Sequence, residues 1–163
     1  MRMDLIQPFI NSADAVLAQG LQSPISIENL SMEQEAYRKK GMAAEVCLKG
    51  EIEGRIIFDV DPEAAVQLAS RLAGVEASET NDELVREAVC ELANQVIGNA
   101  VTTLNDQGFH FHVCPPTVLT SEQGSKSSED TEALVLGFTT SSGNVFMNVA
   151  LQYHRREAAA AAG

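Results

Sequence analysis

The chain has 163 residues, of which 45% are hydrophobic, so we expect a single domain with its own apolar core. Its 23 acidic and 11 basic residues give a formal net charge of -12, which repels nucleic-acid phosphates and anionic membrane surfaces. Nucleic acid is therefore excluded as an expected partner. Because no apolar run reaches the ~20 residues of a membrane span and the first residues lack a secretory-signal pattern, we expect a cytoplasmic protein without membrane contact.

The first third of the sequence predicts one helix and the start of an antiparallel sheet. Apolar residues recur every three or four positions over residues 4–19, which predicts an amphipathic helix with Pro8 near its first turn and Gly20 as its stop. The segment SPISIENLSM alternates weakly and indicates a short strand. The β-rich runs MAAEVCLKG and GRIIFDV are joined by a few residues and predict a hairpin.

The middle of the sequence predicts two further helices. In DPEAAVQLASRLAG, Asp61 has the position of an N-cap and Gly74 lies just past the end, which is the usual punctuation of a helix. A third helix is expected over residues 80–106, because Thr80 and Glu83 have the spacing of a capping box. At 1.5 Å per residue it would be nearly 40 Å long, the longest element of the chain.

The last third predicts strands. FHFHV alternates strictly, and CPPTVL continues it past two prolines that confine this part to a sheet edge, a bulge or a bend. Residues 121–130 are polar and predict a mobile loop, whereas EALVLGFTT and NVFMNVALQY flank SSG as a final hairpin. We therefore expect an α+β domain over residues 1–155, with an antiparallel sheet covered on one face by the long helix and two others, and a short Ala-rich tail over residues 156–163.

The third helix separates into two faces when it is wound at 100° per residue. An apolar face is predicted to pack on the sheet, and it contains Val85, Val89, Leu92, Ala93, Val96, Ile97, Ala100, Val101 and Leu104. The opposite, solvent-facing strip falls within about 60° and contains Glu87, Glu91, Asn94 and Gly98.

Gly98 is the unusual member of this strip. A glycine inside a helix costs about 1 kcal/mol relative to alanine, and on an exposed face it gains nothing from packing within the chain. The close approach of another molecule would use the missing side chain. Leu84 and Ala88 are predicted to extend the strip as exposed apolar residues that suit a partner. A solvated helix face that happens to contain a glycine is the alternative interpretation.

The segments EAVCELANQVIGNAV and CPPTVL resemble the CheX/CheC family of chemotaxis phosphatases. The family pattern has an Asp or Ser, a Glu four residues later, an Asn three residues after that, and a Pro 22 residues beyond the Asn. Glu91, Asn94 and Pro116 match at those spacings, and Gly98 fits four residues after the Asn. Glu87 stands where the family has Asp or Ser. The single motif copy is more similar to CheX than to the two-copy CheC proteins, and the resemblance spans residues 4–154.

This resemblance implies a protein phosphatase that acts on the aspartyl phosphate of a CheY-like response regulator. The regulator's own pocket supplies Mg²⁺, so no intrinsic cofactor and no metal site are implied for this chain. Asn94 would orient the attacking water through its carboxamide oxygen, the role that glutamine has in GTPases. Glu91 would anchor the regulator's lysine. Glu87, Leu84, Gly98 and Pro116 would contact or shape the partner interface, and a homodimer joined through sheet edges is expected.

Other features of the sequence support weaker alternatives. His110, His112 and Cys114 alternate onto one face of a strand, where His-x-His could supply metal ligands, but surface histidines are the simpler interpretation. Cys47, Cys90 and Cys114 lie among apolar neighbours and predict buried free thiols. A docking or scaffold module that uses the same helix face without catalysis is the alternative to a phosphatase.

Overall fold

The structure is a computed structural model, and it describes residues 3–33, 37, 39–119 and 132–154. The described helices and strands follow the chain in the order α1 (Met3–Leu21), β1 (Ser26–Glu33), β2 (Met42–Gly50), β3 (Ile52–Val60), α2 (Pro62–Ala73), a 3-10 turn (Ala77–Glu79), α3 (Asp82–Asp106), β4 (Phe111–Val113), β5 (Thr117–Val118), β6 (Ala133–Thr140) and β7 (Gly143–Tyr153).

The strands of the described chain form one seven-stranded sheet in the order β1-β6-β7-β3-β2-β4, with β5 also paired to β2. Every pairing is antiparallel. Both predicted hairpins, β2–β3 and β6–β7, are present, and the weakly indicated first strand is a full edge strand. The predicted α+β class is confirmed.

The core lies between one face of the sheet and the three described helices. Alternate residues of the central strands point to this side, such as Ile56 and Phe58 of β3 and Met147 of β7, and none of these is more than 1% exposed. Helix α3 packs against α1, α2 and the sheet. The Ser12 hydroxyl of α1 donates a buried hydrogen bond of 2.8 Å to the Val96 carbonyl of α3, which fixes the two helices against each other.

The other face of the sheet also buries polar groups. The Asp59 carboxylate accepts hydrogen bonds from the Tyr37 hydroxyl at 2.7 Å, the Lys40 amide at 2.6 Å and the Gly41 amide at 2.8 Å. Burial, followed by the hydrogen bond and the charge of Asp59, holds the pKa of Tyr37 well above its usual value. Asp59 is therefore satisfied within the fold, where it holds the segment that leads into β2.

Helix α1 extends through its predicted stop. Gly20 lies inside the helix, which ends at Leu21, and Pro8 lies beyond the first turn. A Cβ at Gly20 would lie 3.3 Å from the Leu68 side chain of α2, so this glycine allows the two helices to pack closely. Its role in packing explains why the residue does not end the helix.

The helix caps differ in detail from the prediction. Pro62 begins α2 and Gly74 ends it in the left-handed conformation, as expected, but the Asp61 side chain accepts from the Asn144 amide at 2.8 Å and makes no cap hydrogen bond. The N-cap of α3 is Asn81, whose side chain accepts from the Leu84 amide, so the predicted capping box at Thr80 is wrong. Adjacent residues that both suit an N-cap explain the one-residue error.

The prolines lie where the sequence placed them, at a sheet edge. Leu48 pairs with Val113 of β4, whereas Glu45 pairs with Thr117 of β5, so three residues from Cys114 to Pro116 face two residues of β2. This extra residue is a β-bulge in the outermost part of the sheet. The strand predicted from FHFHV is limited to its last three residues.

Two predictions, the loop over residues 121–130 and the Ala-rich tail over residues 156–163, lie outside the described residues. In the part of the chain that the structure covers, no helix has the length and apolar content needed to cross a membrane.

Candidate active site on helix α3

Helix α3 supplies a rigid support of 25 residues for the candidate site. Its inner face is buried at most of the predicted positions, which are Val89, Leu92, Ala93, Val96, Ile97, Ala100 and Leu104, and Ala88 is buried as well. Val85 and Val101, which were predicted to be buried, are half-buried at the margins of this face. The helix cannot rotate without exposing this surface, so the directions of its outward side chains are fixed.

Three of the four residues of the predicted strip are exposed: Glu87, Asn94 and Gly98. Among the described residues no side chain or backbone group bonds to the Asn94 carboxamide, so its oxygen is available to a water or a partner. A Cβ at Gly98 would meet nothing within 4 Å, so the chain itself has no steric need for a glycine there.

The predicted apolar extension of the strip is corrected. Ala88 is only 3% exposed and belongs to the core, and Leu84 is half-buried and packs against that core. Helix α3 is flanked by both α1 and α2, which widens its buried arc beyond the part that faces the sheet. Leu84 can offer only part of its side chain to a partner.

Glu91 is half-buried and is oriented by a neighbour one turn later. The Gln95 side-chain amide donates a hydrogen bond of 3.1 Å to Glu91 Oε1. The carboxylate therefore stands between the exposed strip and the flanking helices, with one oxygen held by Gln95. Such an i,i+4 pair stabilises one side-chain direction on a helix surface by a few tenths of a kcal/mol.

A groove among the three helices begins beside Glu91. Its volume is about 450 Å³, and Glu91, Gln95 and Arg71 contribute polar groups to a lining that includes Leu68 and Leu92. Asn94 lies outside this groove. Sequence reasoning missed Gln95, although its spacing from Glu91 was a usable signal, and it missed Arg71, which only the packing of α2 against α3 brings near.

Pro116 is half-buried in the bulge between β4 and β5. Strand β5 packs against α3, so this bulge lies beside the helix that carries Glu91 and Asn94. The fold thus brings Pro116 next to the helix that carries Asn94, although the two residues are far apart in the sequence.

Metal-binding chemistry finds no support in the described part of the chain. There, no group of three or more His, Cys, Asp and Glu side chains is arranged to hold an ion. His110 and His112 are exposed. The three cysteines are free and half-buried, which corrects the prediction that they are buried.

Comparison with known proteins identifies the family. The family described as "Chemotaxis phosphatase CheX" matches residues 42–139, which is more than half of the chain. The matched region contains the sheet strands β2 and β3 and all of helix α3. The chain belongs to the CheX family of chemotaxis phosphatases.

Individual relatives agree with this assignment. The chain is 33% identical over 72 residues to the CheY-P phosphatase CheX of Thermotoga maritima, an alignment that covers 44% of this chain and 46% of that protein. It thus spans about half the length of this curated relative.

Two solved structures resemble the whole fold. A structure of the CheX-CheY-BeF3-Mg+2 complex from Borrelia burgdorferi is matched with a TM-score of 0.72 and 33% identity, over 93% of this chain and 99% of that chain. A CheC-like superfamily protein from Shewanella sp. PV-4 has a TM-score of 0.80 over 93% of this chain and 99% of that one, and at 19% identity it supports the fold alone.

Proposed function

We propose that this protein hydrolyses the aspartyl phosphate of a CheY-like response regulator, and that Asn94 positions the attacking water. The observation that carries the proposal is the exposed, unengaged Asn94 carboxamide on a helix fixed by its buried face. Membership of the CheX family and the CheY complex of the Borrelia relative support the choice of substrate.

A carboxamide can activate a water by position alone. Its oxygen accepts one hydrogen bond from the water and holds the water in line with the bond that breaks, so no proton transfer to the side chain is required. Because an acyl phosphate is already a reactive electrophile, ordering the nucleophile is a useful contribution, and a gain of about 2.7 kcal/mol is a hundredfold in rate.

Glu91 is assigned the anchoring role. Its carboxylate lies one turn before Asn94 and would pair with a lysine in the regulator's phosphorylation pocket. The half-buried position of Glu91 strengthens such a pair, since water is further excluded when the partner docks. Gln95 holds one carboxylate oxygen and leaves the other for the lysine.

The Mg²⁺ ion of the proposed reaction is assigned to the regulator and not to this chain. The Borrelia complex contains Mg²⁺ together with CheY, and we propose that the regulator's pocket supplies Mg²⁺ here as well. The metal neutralises charge on the phosphoryl oxygens, whereas this chain contributes the water-orienting amide and the anchor.

The remaining motif residues are assigned to the interface. Gly98 gives the partner's backbone room to approach α3, Glu87 and the exposed part of Leu84 contact the partner, and Pro116 shapes the bulge beside the helix. We also propose that the protein is a cytoplasmic homodimer whose subunits join through sheet edges. Micromolar protein that has a monomeric mass in solution would contradict the dimer.

The experiment is a phosphate-release assay with phosphorylated CheY-like regulators of the host. The proposal predicts faster release from at least one regulator than its spontaneous rate, in proportion to the concentration of this protein. Binding of a phosphorylated regulator without faster release would instead support the docking module. This alternative is open because Glu87 occupies a motif position where the family has Asp or Ser.

A further inference from the structure

Two cysteines face each other across the edge of the sheet, on the side away from the helices. The β2–β4 register pairs Leu48 with Val113, and its continuation by one residue places Cys47 opposite Cys114. The Cys114 amide donates a hydrogen bond of 2.9 Å to the Cys47 carbonyl, so this pairing continues beyond the strand.

Their side chains point to the same face. Residues directly opposite each other in an antiparallel pair share a face, and their Cα atoms are about 4.5 to 5.5 Å apart. A disulfide requires Cα atoms between about 4.4 and 6.8 Å, so this pairing fits the geometry of the bond. The pKa of the Cys47 thiol is raised by burial first, and the charge of the neighbouring Cys114 adds a smaller part of the shift.

Both thiols can be reached by a small oxidant. Cys47 lies in β2 and Cys114 lies in the bulge beside it, and both residues are half-buried. The Cys47 Sγ contacts Glu45 Oε1 at 3.6 Å, and no disulfide is present. Burial and, after it, the charge of Glu45 raise the pKa of Cys47, which keeps this thiol protonated at neutral pH and slows its oxidation.

We propose that Cys47 and Cys114 are a reversible dithiol–disulfide site that forms under peroxide. One thiol reacts with hydrogen peroxide to give a sulfenic acid and one water, and the second thiol displaces the sulfenic oxygen as a second water. Two S–H bonds break and one S–S bond forms, and the two electrons go to the peroxide. The bridge would tie the bulge that contains Pro116 to β2, and any dithiol reductant would reverse it.

The test is the oxidation of the reduced full-length chain with hydrogen peroxide, followed by alkylation under denaturing conditions and mass spectrometry. We expect a monomer that carries one alkyl group instead of the three on the reduced chain, a linked peptide pair containing Cys47 and Cys114, and full reversal by dithiothreitol. Cys90→Ser is the matched control, since Cys90 is half-buried too and its pKa is also raised by burial, and it should form the same bridge. Cys114→Ser should not form it.

A second measurement does not depend on a folded variant. Because the bridge closes a long loop, the oxidised wild-type protein should melt at least about 5 °C above the reduced protein. Separate sulfenic or sulfinic acids without a linked peptide, a bond through Cys90, or bonds only between molecules would each overturn the proposal.

Discussion

The Gln95 side-chain amide donates to the Glu91 carboxylate across one turn of α3, with 3.1 Å between Nε2 and Oε1. Glu91 is therefore aimed by its own helix before any partner arrives. If Glu91 pairs with a regulator lysine, Glu91→Lys should weaken binding at least about tenfold, and a Lys→Glu change in the regulator should restore part of the loss. Isothermal titration with the regulator in its BeF3–Mg²⁺ form, which this protein cannot hydrolyse, measures both effects.

The control for this experiment is Gln95→Ala, which removes only the orienting hydrogen bond. It should weaken binding by about twofold, in line with the few tenths of a kcal/mol of an exposed i,i+4 pair. If Glu91→Lys binds as well as the wild type, Glu91 is ordinary helix surface and the anchoring role is wrong.

Gly98→Ala should separate stability from docking. Since a Cβ at this position enters open space, alanine should stabilise the helix by up to about 1 kcal/mol and raise the melting temperature by about 2 to 4 °C. The same methyl group would obstruct a partner backbone and weaken regulator binding. Calorimetry and a binding assay on the same sample test whether the melting temperature rises while the affinity for the regulator falls.

Gly20→Ala is the matched control for Gly98→Ala, because it makes the same change at another helical glycine. Its Cβ would press on the Leu68 side chain at 3.3 Å, so this variant should lose the stability gain and leave regulator binding unchanged. If Gly98→Ala is more stable and binds normally, no partner backbone approaches this part of α3.

Ser12→Ala should loosen the support of the site. It removes the buried hydrogen bond from α1 to the Val96 carbonyl of α3, at a cost of about 1 kcal/mol in the free energy of unfolding. Urea unfolding measures this cost. The control is Asn11→Ala, which removes an exposed hydrogen bond from Gln7 and should change stability by less than about 0.5 kcal/mol.

We expect the folded protein to lose stability at alkaline pH because of the raised pKa of Tyr37. Its pKa is raised above the ordinary 10.0 by burial first and then by Asp59, so the folded state holds the hydroxyl proton more tightly than the unfolded state. The resulting stability is complete below the unfolded pKa and declines as the pH rises toward the folded pKa.

The measurement compares the wild type with Tyr37→Phe by urea unfolding at about pH 8 and about pH 11. The difference between the two proteins should shrink at the higher pH, because only the wild type loses the contribution of the Tyr37 hydroxyl proton. An unchanged difference would contradict the shift. Tyr37→Phe leaves Asp59 its two backbone donors, so the variant should fold.

The sequence predicted the elements that depend on local pattern. The hairpins, the long helix and the exposed positions of Asn94 and Gly98 follow from periodicity and turn residues alone. The errors arise where distant segments meet. Ala88 is buried because α1 and α2 both pack against α3, and Gly20 lies inside a helix because α2 packs against it.

The surroundings of the site could not be read from local pattern either. Arg71 reaches the groove beside Glu91 only through the packing of α2, and the bulge at Pro116 lies beside α3 only through the pairing of β5 with β2. The link between Asn94 and Pro116 could be predicted only from the family resemblance. No helix or strand periodicity relates two residues that are 22 positions apart, one on a helix and the other at a sheet edge.

The central claim is that the Asn94 carboxamide orients the water, and the most direct measurement is the rate of phosphate release at saturating phosphorylated regulator. Asn94→Ala should lower this rate at least about a hundredfold while binding changes by less than about threefold. Asn99→Ala, an exposed asparagine on another face of α3, should retain the wild-type rate. A wild-type rate in Asn94→Ala would contradict the account.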